Sequence, residues 1–284
     1  MINTNQFIFR IGHSFFWYLK SELSASNISE RYTLLLEAYL LGCGGHLHEL
    51  YKQTLLVDQL SGVSRLIKSR KKNRHLILQE QLAAIKIENK ISLPIQSTMV
   101  VSEISVSKCK YMDSFTVPLW LVFKNLDPYG EAIKVLFKTG DDLRADILTL
   151  QVLRIMDKLW KDSEVDLHLS TYICISTNIE SGIIEVVPNA VTTASIQKVK
   201  GVVTGALKKT PLARWLREQN PAEIEYDQAV DNFVRSLAGY CVATYILGIG
   251  DRHNDNIMIT TSGHLFRKQF YFLFSSQISH FLVF

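Results

Sequence analysis

Between Gly248 and Met258 the chain reads Gly248-Ile249-Gly250-Asp251-Arg252-His253-Asn254-Asp255-Asn256-Ile257-Met258, which gathers acid, imidazole and carboxamide groups behind an apolar helical stretch. Asp251 and His253, two residues apart, can share proton handling and stabilise transition-state charge, with Arg252 between them, while Asn256 offers a neutral oxygen to a magnesium ion. Asp-Arg-His alone is better explained as a polar turn capping the preceding helix. The eleven-residue run as a whole reads as a phosphoryl-transfer loop. Such chemistry also needs a cation on the phosphates and a grip on the nucleotide base. Lys138, last on a predicted strand, could supply the cation, with Asp146 as its acidic neighbour one turn into the next helix. Taken alone, a strand lysine is far more often a solvated edge residue.

The elements that must position these groups show as periodicities. Phe7 to Gln53 reads as helical, with Ile11, Phe15 and Leu19 at four-residue steps and an almost uniformly apolar segment from Arg31 to Leu41 that should bury against other helices. Ser61 to Lys90 is polar and basic, holds Lys68, Arg70, Lys71, Lys72 and Arg74, and reads as a solvated helix face or linker. After Leu93-Pro94 the texture turns β-rich. In Ala132 to Lys138 a period of two puts Lys134, Leu136 and Lys138 on one face, and Gly140-Asp141-Asp142 breaks the strand. Leu143, Ile147, Leu150, Leu153, Met156 and Trp160 then repeat at helical spacing. Further strands are expected around Leu167 to Ser176 and Gly182 to Val187. A last helix, Tyr226 to Leu247, carries the stripe Val230, Phe233, Leu237 and Cys241. This order predicts a bilobal α+β domain behind a helical segment.

Composition excludes little else. A hydrophobic content of 47% over 284 residues can bury a substantial core, and a net charge of +4 permits contact with anionic lipid or nucleotide without arguing for nucleic acid. Cys43, Cys109, Cys174 and Cys241 are far apart, which disfavours a disulfide framework and suits a reducing cytosol. Cys43-x-x-His46-x-His48 lacks a convincing fourth ligand and reads as packing; His168, His264 and His280 show no partner pattern. No apolar run reaches the roughly 18 residues of a membrane span, so a soluble or peripheral protein is expected. Phe270 to Phe284 reads as an aggregation-prone tail.

Gly250 to Met258 resembles the catalytic loop of class I phosphoinositide 3-kinases. Arg10-Ile11-Gly12-His13 and Leu34 to Tyr39 resemble the end of that family's helical domain, and Lys108 to Ser114 with Pro118-Leu119-Trp120 resembles its phosphate-binding loop. Phe137 to Arg144, Gly182 to Val187 and Ala238 to Thr244 are similar to further family segments. The resemblance implies an α+β, bilobal, protein-kinase-like lipid kinase domain with an incomplete C-lobe. It assigns residues 1–60 to the helical domain, 61–92 to a basic linker, 93–266 to the kinase domain and 267–284 to a divergent tail. ATP and Mg2+ are the implied cofactors. Lys138 would hold ATP phosphates under a covering Ser114, Asp146 and Tyr172 would line the deeper pocket, and Ile184, Glu185 and Val187 would form the adenine pocket, the last two through their backbones. Asp251 and His253 would serve the inositol 3-hydroxyl of phosphatidylinositol 4,5-bisphosphate, and Asn256 would bind magnesium. A regulatory adaptor, a Ras-type GTPase and recruitment from cytoplasm to plasma membrane are implied as well.

Three departures accompany the resemblance. Ser114 to Pro118 lacks the basic residues usual in the phosphate-binding loop. Arg144-Ala145-Asp146 stands where glutamine usually precedes the aspartate. After Phe266 the chain runs Arg267-Lys268-Gln269-Phe270 where a metal-binding Asp-Phe-Gly is expected. The last departure supports an alternative expectation, a non-catalytic fragment or decoy binding module.

Overall fold

The computed structural model describes residues 4–23, 28–198, 211–250, 253–268 and 270, so Asp251, Arg252 and the stretch 271–284 lie outside the described residues. The chain divides into two compact units, Met1–Ile147 with Ile173–Val186, and Leu148–Tyr172 with Val187–Phe284.

The first unit opens with helices α1 (Thr4–Glu22), α2 (Ser29–Gly42), α3 (His46–Ser69) and α4 (Arg74–Ala84). Strands β1 (Ile91–Leu93), β2 (Gln96–Ile104), β3 (Lys110–Tyr111), β4 (Leu119–Asn125), β5 (Ile133–Thr139), β6 (Cys174–Asn178) and β7 (Ser181–Glu185) follow. They form one antiparallel sheet in the order β1-β2-β4-β5-β7-β6, with β3 beside β4. On β5 the expected alternation holds: Val135, Phe137 and Thr139 are buried, while Lys134, Leu136 and Lys138 take the other face. The stretch read as a basic linker is mostly helical, holding the end of α3 and all of α4. Arg70, Lys71 and Lys72 are exposed in the connection between them.

The buried face of α1 differs from the expected one. Ile11 and Phe15 are exposed, whereas His13, Phe16, Trp17 and Leu19 are buried. Trp17 decides the rotation: its large ring is wholly buried, worth about 3 kcal/mol in transfer terms, and its Nε1 donates to Gln53 Oε1 on α3 at 2.9 Å. The apolar α2 buries only Leu36, while Leu34, Leu35 and Leu41 face outward.

The second unit contains most of α5 (Arg144–Asp162), which begins in the first, then β8 (Ala190–Thr192), α6 (Thr193–Lys198), α7 (Pro211–Gln219), α8 (Glu223–Ile246), β9 (Ile257–Thr260) and β10 (Leu265–Arg267). The three strands form an antiparallel sheet ordered β10-β9-β8. Ile196, Leu216, Ala229 and Ile259 make its buried core. Gly263, in the β9–β10 turn at φ +92, sits where a side chain would clash with the Ala229 carbonyl, so the turn lies tight on α8. Leu143, just before α5, and Ile147, Leu150 and Leu153 on it are buried as their spacing predicts, while Met156 and Trp160 at the far end of the stripe are half-buried.

Two expectations fail here. Residues 167–173 are not a strand; β6 starts only at Cys174, and His168 takes a left-handed backbone at φ +47, which a strand cannot contain. The stripe Val230, Phe233, Leu237 and Cys241 is not the buried face of α8, which is Ala229, Asn232, Ser236, Gly239, Tyr240, Ala243 and Thr244. Polar groups are buried there because they bind backbone: Ser236 Oγ accepts from the Leu265 N–H at 2.9 Å, and Asn232 Nδ2 donates to the Ser262 carbonyl at 2.9 Å.

Two outcomes follow for stability. Gly182 of β7 lies opposite Lys138, and a Cβ there would run into the Ile175 carbonyl and the Leu143 side chain. Gly182→Ala should therefore cost about 2 kcal/mol, read as a lowered urea midpoint at unchanged slope. His13 and His46 are the second case. His13 Nε2 is 2.7 Å from the Pro94 carbonyl oxygen, and His46 Nδ1 is 2.9 Å from the Tyr39 hydroxyl. Burial, above all, holds both imidazoles below their ordinary 6.5; the Pro94 bond and Glu49 oppose it at His13, and Glu49 alone opposes it at His46. The unfolded chain then binds more protons, so stability is present above 6.5 and is lost as the pH falls through it. Thermal melts should show Tm falling on acidification from pH ~7.5 to ~5.5, and less so in His13→Gln.

Candidate active site

In the first unit the central residue is Lys138. Strand β5 sits between β4 and β7, so its end cannot shift without breaking two ladders. The Lys138 ammonium is ion-paired with Asp141, and both side chains are largely buried, at 12% and 21% exposure, which limits solvent screening. By sequence Asp141 stands out only as part of the strand-breaking Gly140-Asp141-Asp142; an acid three residues beyond a strand lysine is the signal for the pair. Asp146, the neighbour the sequence suggested, is buried in the first turn of α5. That turn is also anchored by Arg144, which forks onto Asp142 and reaches Glu22 of α1 at 2.8 Å. The hydrogen bonds that the guanidinium donates to Asp142 hold its pKa above the ordinary value.

Ser114 lies exposed in the β3–β4 connection. Its N–H donates to the Met112 carbonyl and its carbonyl accepts from Val117, each at 3.0 Å, in a tight turn completed by Val117 at φ +45. Ile184 and Glu185 end β7 and are half-buried. Glu185 grips Ile173 twice: its N–H donates to the Ile173 carbonyl at 2.9 Å, and its Oε2 accepts the Ile173 N–H at 2.8 Å. The Val186 N–H donates to the Lys134 carbonyl.

In the second unit, Tyr172 is buried and its hydroxyl donates to the Lys268 carbonyl at 2.8 Å, with its ring edge-on to Phe266. Val187 opens the segment leading to β8. The loop after α8 begins with the Ile249 N–H on the Thr244 carbonyl. Arg267, buried on β10, donates through Nη2 to the Gly250 carbonyl at 2.8 Å. His253 is exposed, and its Nδ1 accepts the Asp255 N–H at 3.2 Å. The Asn254 carbonyl takes bonds from Thr193 Oγ1 and the Ala194 N–H. Asn256 is buried, and its backbone bonds to His253 and Lys268. The loop is thus held on both flanks, by α6 and by β10. Asp251 and Arg252 lie outside the described residues. His168 and His264, unpaired by sequence, stand with ring centroids 6.3 Å apart; burial first, and then His168, keep His264 below its ordinary pKa.

A nucleoside triphosphate suits the donors present, since a restrained ammonium and a strand-end backbone match phosphate and base. For a magnesium ion, which takes one or two protein oxygens alongside phosphate and water, Asn256 offers one neutral oxygen, and among the described residues no group of three His, Cys, Asp or Glu is arranged for a metal.

Residues 132–282 match the family described as Phosphatidylinositol 3- and 4-kinase, and residues 1–52 match the Phosphoinositide 3-kinase family, accessory domain. Phosphatidylinositol 3-kinase 2 of Dictyostelium discoideum is 50% identical over 263 residues, 92% of this chain and 14% of that protein. Phosphatidylinositol 3-kinase 1 of the same organism is 49% identical, with 92% and 17% covered. The human Phosphatidylinositol 4-phosphate 3-kinase C2 domain-containing subunit beta is 45% identical, with 92% and 16% covered. The chain spans about one sixth of the length of these relatives. Helical accessory segment, lysine-bearing sheet and glycine-flanked loop follow one another in a chain that belongs to the phosphatidylinositol 3- and 4-kinase family, as a phosphatidylinositol 3-kinase catalytic region.

Proposed function

We propose that this chain is the catalytic segment of a phosphatidylinositol 3-kinase of class I type, moving the γ-phosphate of ATP to the inositol 3-hydroxyl of phosphatidylinositol 4,5-bisphosphate. The observation that carries the reading is Lys138: a largely buried ammonium near the end of a doubly paired strand, held in place by Asp141. Phosphate oxygens arriving there compete with Asp141 for the cation, and its position costs no reorganisation. His253 Nδ1 accepts the Asp255 N–H, which holds the ring at the loop, and His253 and Asp251 together serve the 3-hydroxyl. Asn256, if a metal ion binds, gives it one oxygen. The adaptor subunit, the Ras-type GTPase and recruitment from cytoplasm to plasma membrane belong to the same proposal.

Two observations favour competing outcomes. The human relative's name specifies phosphatidylinositol 4-phosphate, which points to a headgroup with one phosphate fewer. The cations Arg267 and Lys268, where a metal carboxylate is expected, favour a module that binds nucleotide without transferring phosphate.

One assay separates these readings. The chain is given labelled ATP, magnesium and vesicles bearing phosphatidylinositol, its 4-phosphate or its 4,5-bisphosphate. Label on the 3-position of the 4,5-bisphosphate supports the proposal, label on the 4-phosphate alone shifts the substrate, and ATP binding without label establishes the non-catalytic module. In every case Lys138→Ala should weaken ATP binding at least tenfold, and unchanged affinity would remove Lys138 from the site.

A further inference from the structure

We infer that the cleft between the C-terminal half of α3 and the β6–β7 turn is a binding site for a phosphate monoester, held by Arg65 and Lys68. The site lies within the first unit and is independent of the nucleotide reading.

The cleft encloses about 700 Å3, within the range of small-molecule sites. Ser61, Arg65 and Lys68 line it from α3, Gly140 from the end of β5, and Glu180 and Ser181 from the β6–β7 turn. Steps of four and three put Ser61, Arg65 and Lys68 on one face of the helix. Arg65 and Lys68 are therefore neighbouring like charges, an arrangement that destabilises a helix unless a group of opposite sign lies across the two. Among the described residues no carboxylate does so, although two line the same cleft. Asp58 stands two turns, roughly 10 Å, before Arg65 on α3. Glu180 gives its main-chain carbonyl to the Gly140 N–H at 2.7 Å, and its carboxylate is ion-paired with neither cation.

Lys68 is half-buried, and one of its N–H groups donates to the Thr139 carbonyl at 2.6 Å. An ammonium has three donors, so two remain for a ligand. Gly140 leaves room for them, since a Cβ there would stand 2.8 Å from the ammonium nitrogen. Arg65 is exposed and makes no bond among the described residues, which leaves its planar fork available. The Ser61 hydroxyl, one turn earlier on the same face, adds a neutral donor.

Together these groups recognise a compact, multiply charged group with several acceptor oxygens. A phosphate monoester carries close to two negative charges and three terminal oxygens. It can take a forked contact from Arg65 and a point contact from Lys68 at once. A carboxylate brings one charge and two oxygens, and a neutral or cationic ligand would leave both cations uncompensated. The Glu180 carboxylate opposes any anion in the cleft, so neutralising it should tighten binding.

The test is calorimetric titration of the full chain at low salt with glycerol 3-phosphate, with acetate as the control anion. Saturable binding with a Kd near or below about 1 mM is expected. It should weaken about tenfold in Arg65→Gln and in Lys68→Gln, and strengthen in Glu180→Gln. Arg65→Gln carries the decision, because an exposed side chain can be changed without unfolding the chain, whereas Lys68→Gln also removes the bond to Thr139. Lys138→Ala should leave the binding as it is. A loss there would place the phosphate in the nucleotide site and overturn the inference, as would unchanged affinity in Arg65→Gln, equal binding of acetate, or no saturable heat up to about 10 mM. Co-sedimentation with phosphatidylcholine vesicles bearing phosphatidic acid separates two sources of the group. Vesicle binding that Arg65→Gln abolishes assigns the site to a lipid headgroup, and binding of glycerol 3-phosphate alone assigns it to a soluble phosphate.

Discussion

Thr139 is the point on which the first unit depends. The hydroxyl of Ser64 lies 2.7 Å from its hydroxyl, and Lys68 donates to its carbonyl at 2.6 Å. Ser64 is fully buried and Thr139 nearly so, which means that neither hydroxyl could be left alone without a penalty of roughly 1–3 kcal/mol. The bond therefore ties α3 to the last residue of β5. Lys138 precedes that residue, Gly140 follows it in a left-handed turn with its N–H on the Glu180 carbonyl, and Asp141 then folds back onto Lys138. The helical segment and the lysine strand share one hydrophobic core, from Trp17 and Leu60 to Phe123 and Phe137. The helices of the first unit are thus part of what holds the Lys138 ammonium still.

Much of this was readable from the residues. A period of two across Ile133 to Thr139 gives the strand and its two faces, and the spacing of Leu143, Ile147, Leu150 and Leu153 gives the face of α5, because both elements bury plain apolar stripes. The helices that misled did so for physical reasons. On α8 the inward face is built of Asn232, Ser236, Gly239 and Thr244, chosen for hydrogen bonds to neighbouring backbone and for close approach, so hydrophobic periodicity selects the wrong side. On α1 one wholly buried indole with a bonded N–H outweighs Ile11 and Phe15. The stretch 167–173 has strand-like composition, but the N–H of His168 bonds to Asp166 Oδ1 in a local turn that competes with any ladder.

The candidate site was legible by residue type and illegible by connection. Lys138, Glu185, His253 and Asn256 are visible as chemistry; that Lys138 pairs with Asp141, or that Glu185 holds the Ile173 N–H, depends on where a chain returns after dozens of residues. Glu185 illustrates the difference most clearly. Its side chain looks like a surface acid at the end of a strand, and only the fold reveals that the carboxylate accepts the Ile173 N–H.

The loop of the second unit has an electrostatic character that bears on what it can hold. Arg267 is 3% exposed, with its charge directed at the Gly250 carbonyl and about 6.0 Å from the Phe270 ring centroid. Withdrawing a guanidinium from water costs several kcal/mol, offset here in part by a carbonyl dipole and an aromatic face. A guanidinium fixed beside Gly250 raises the local potential at the start of the loop. The same positive potential attracts phosphate oxygens.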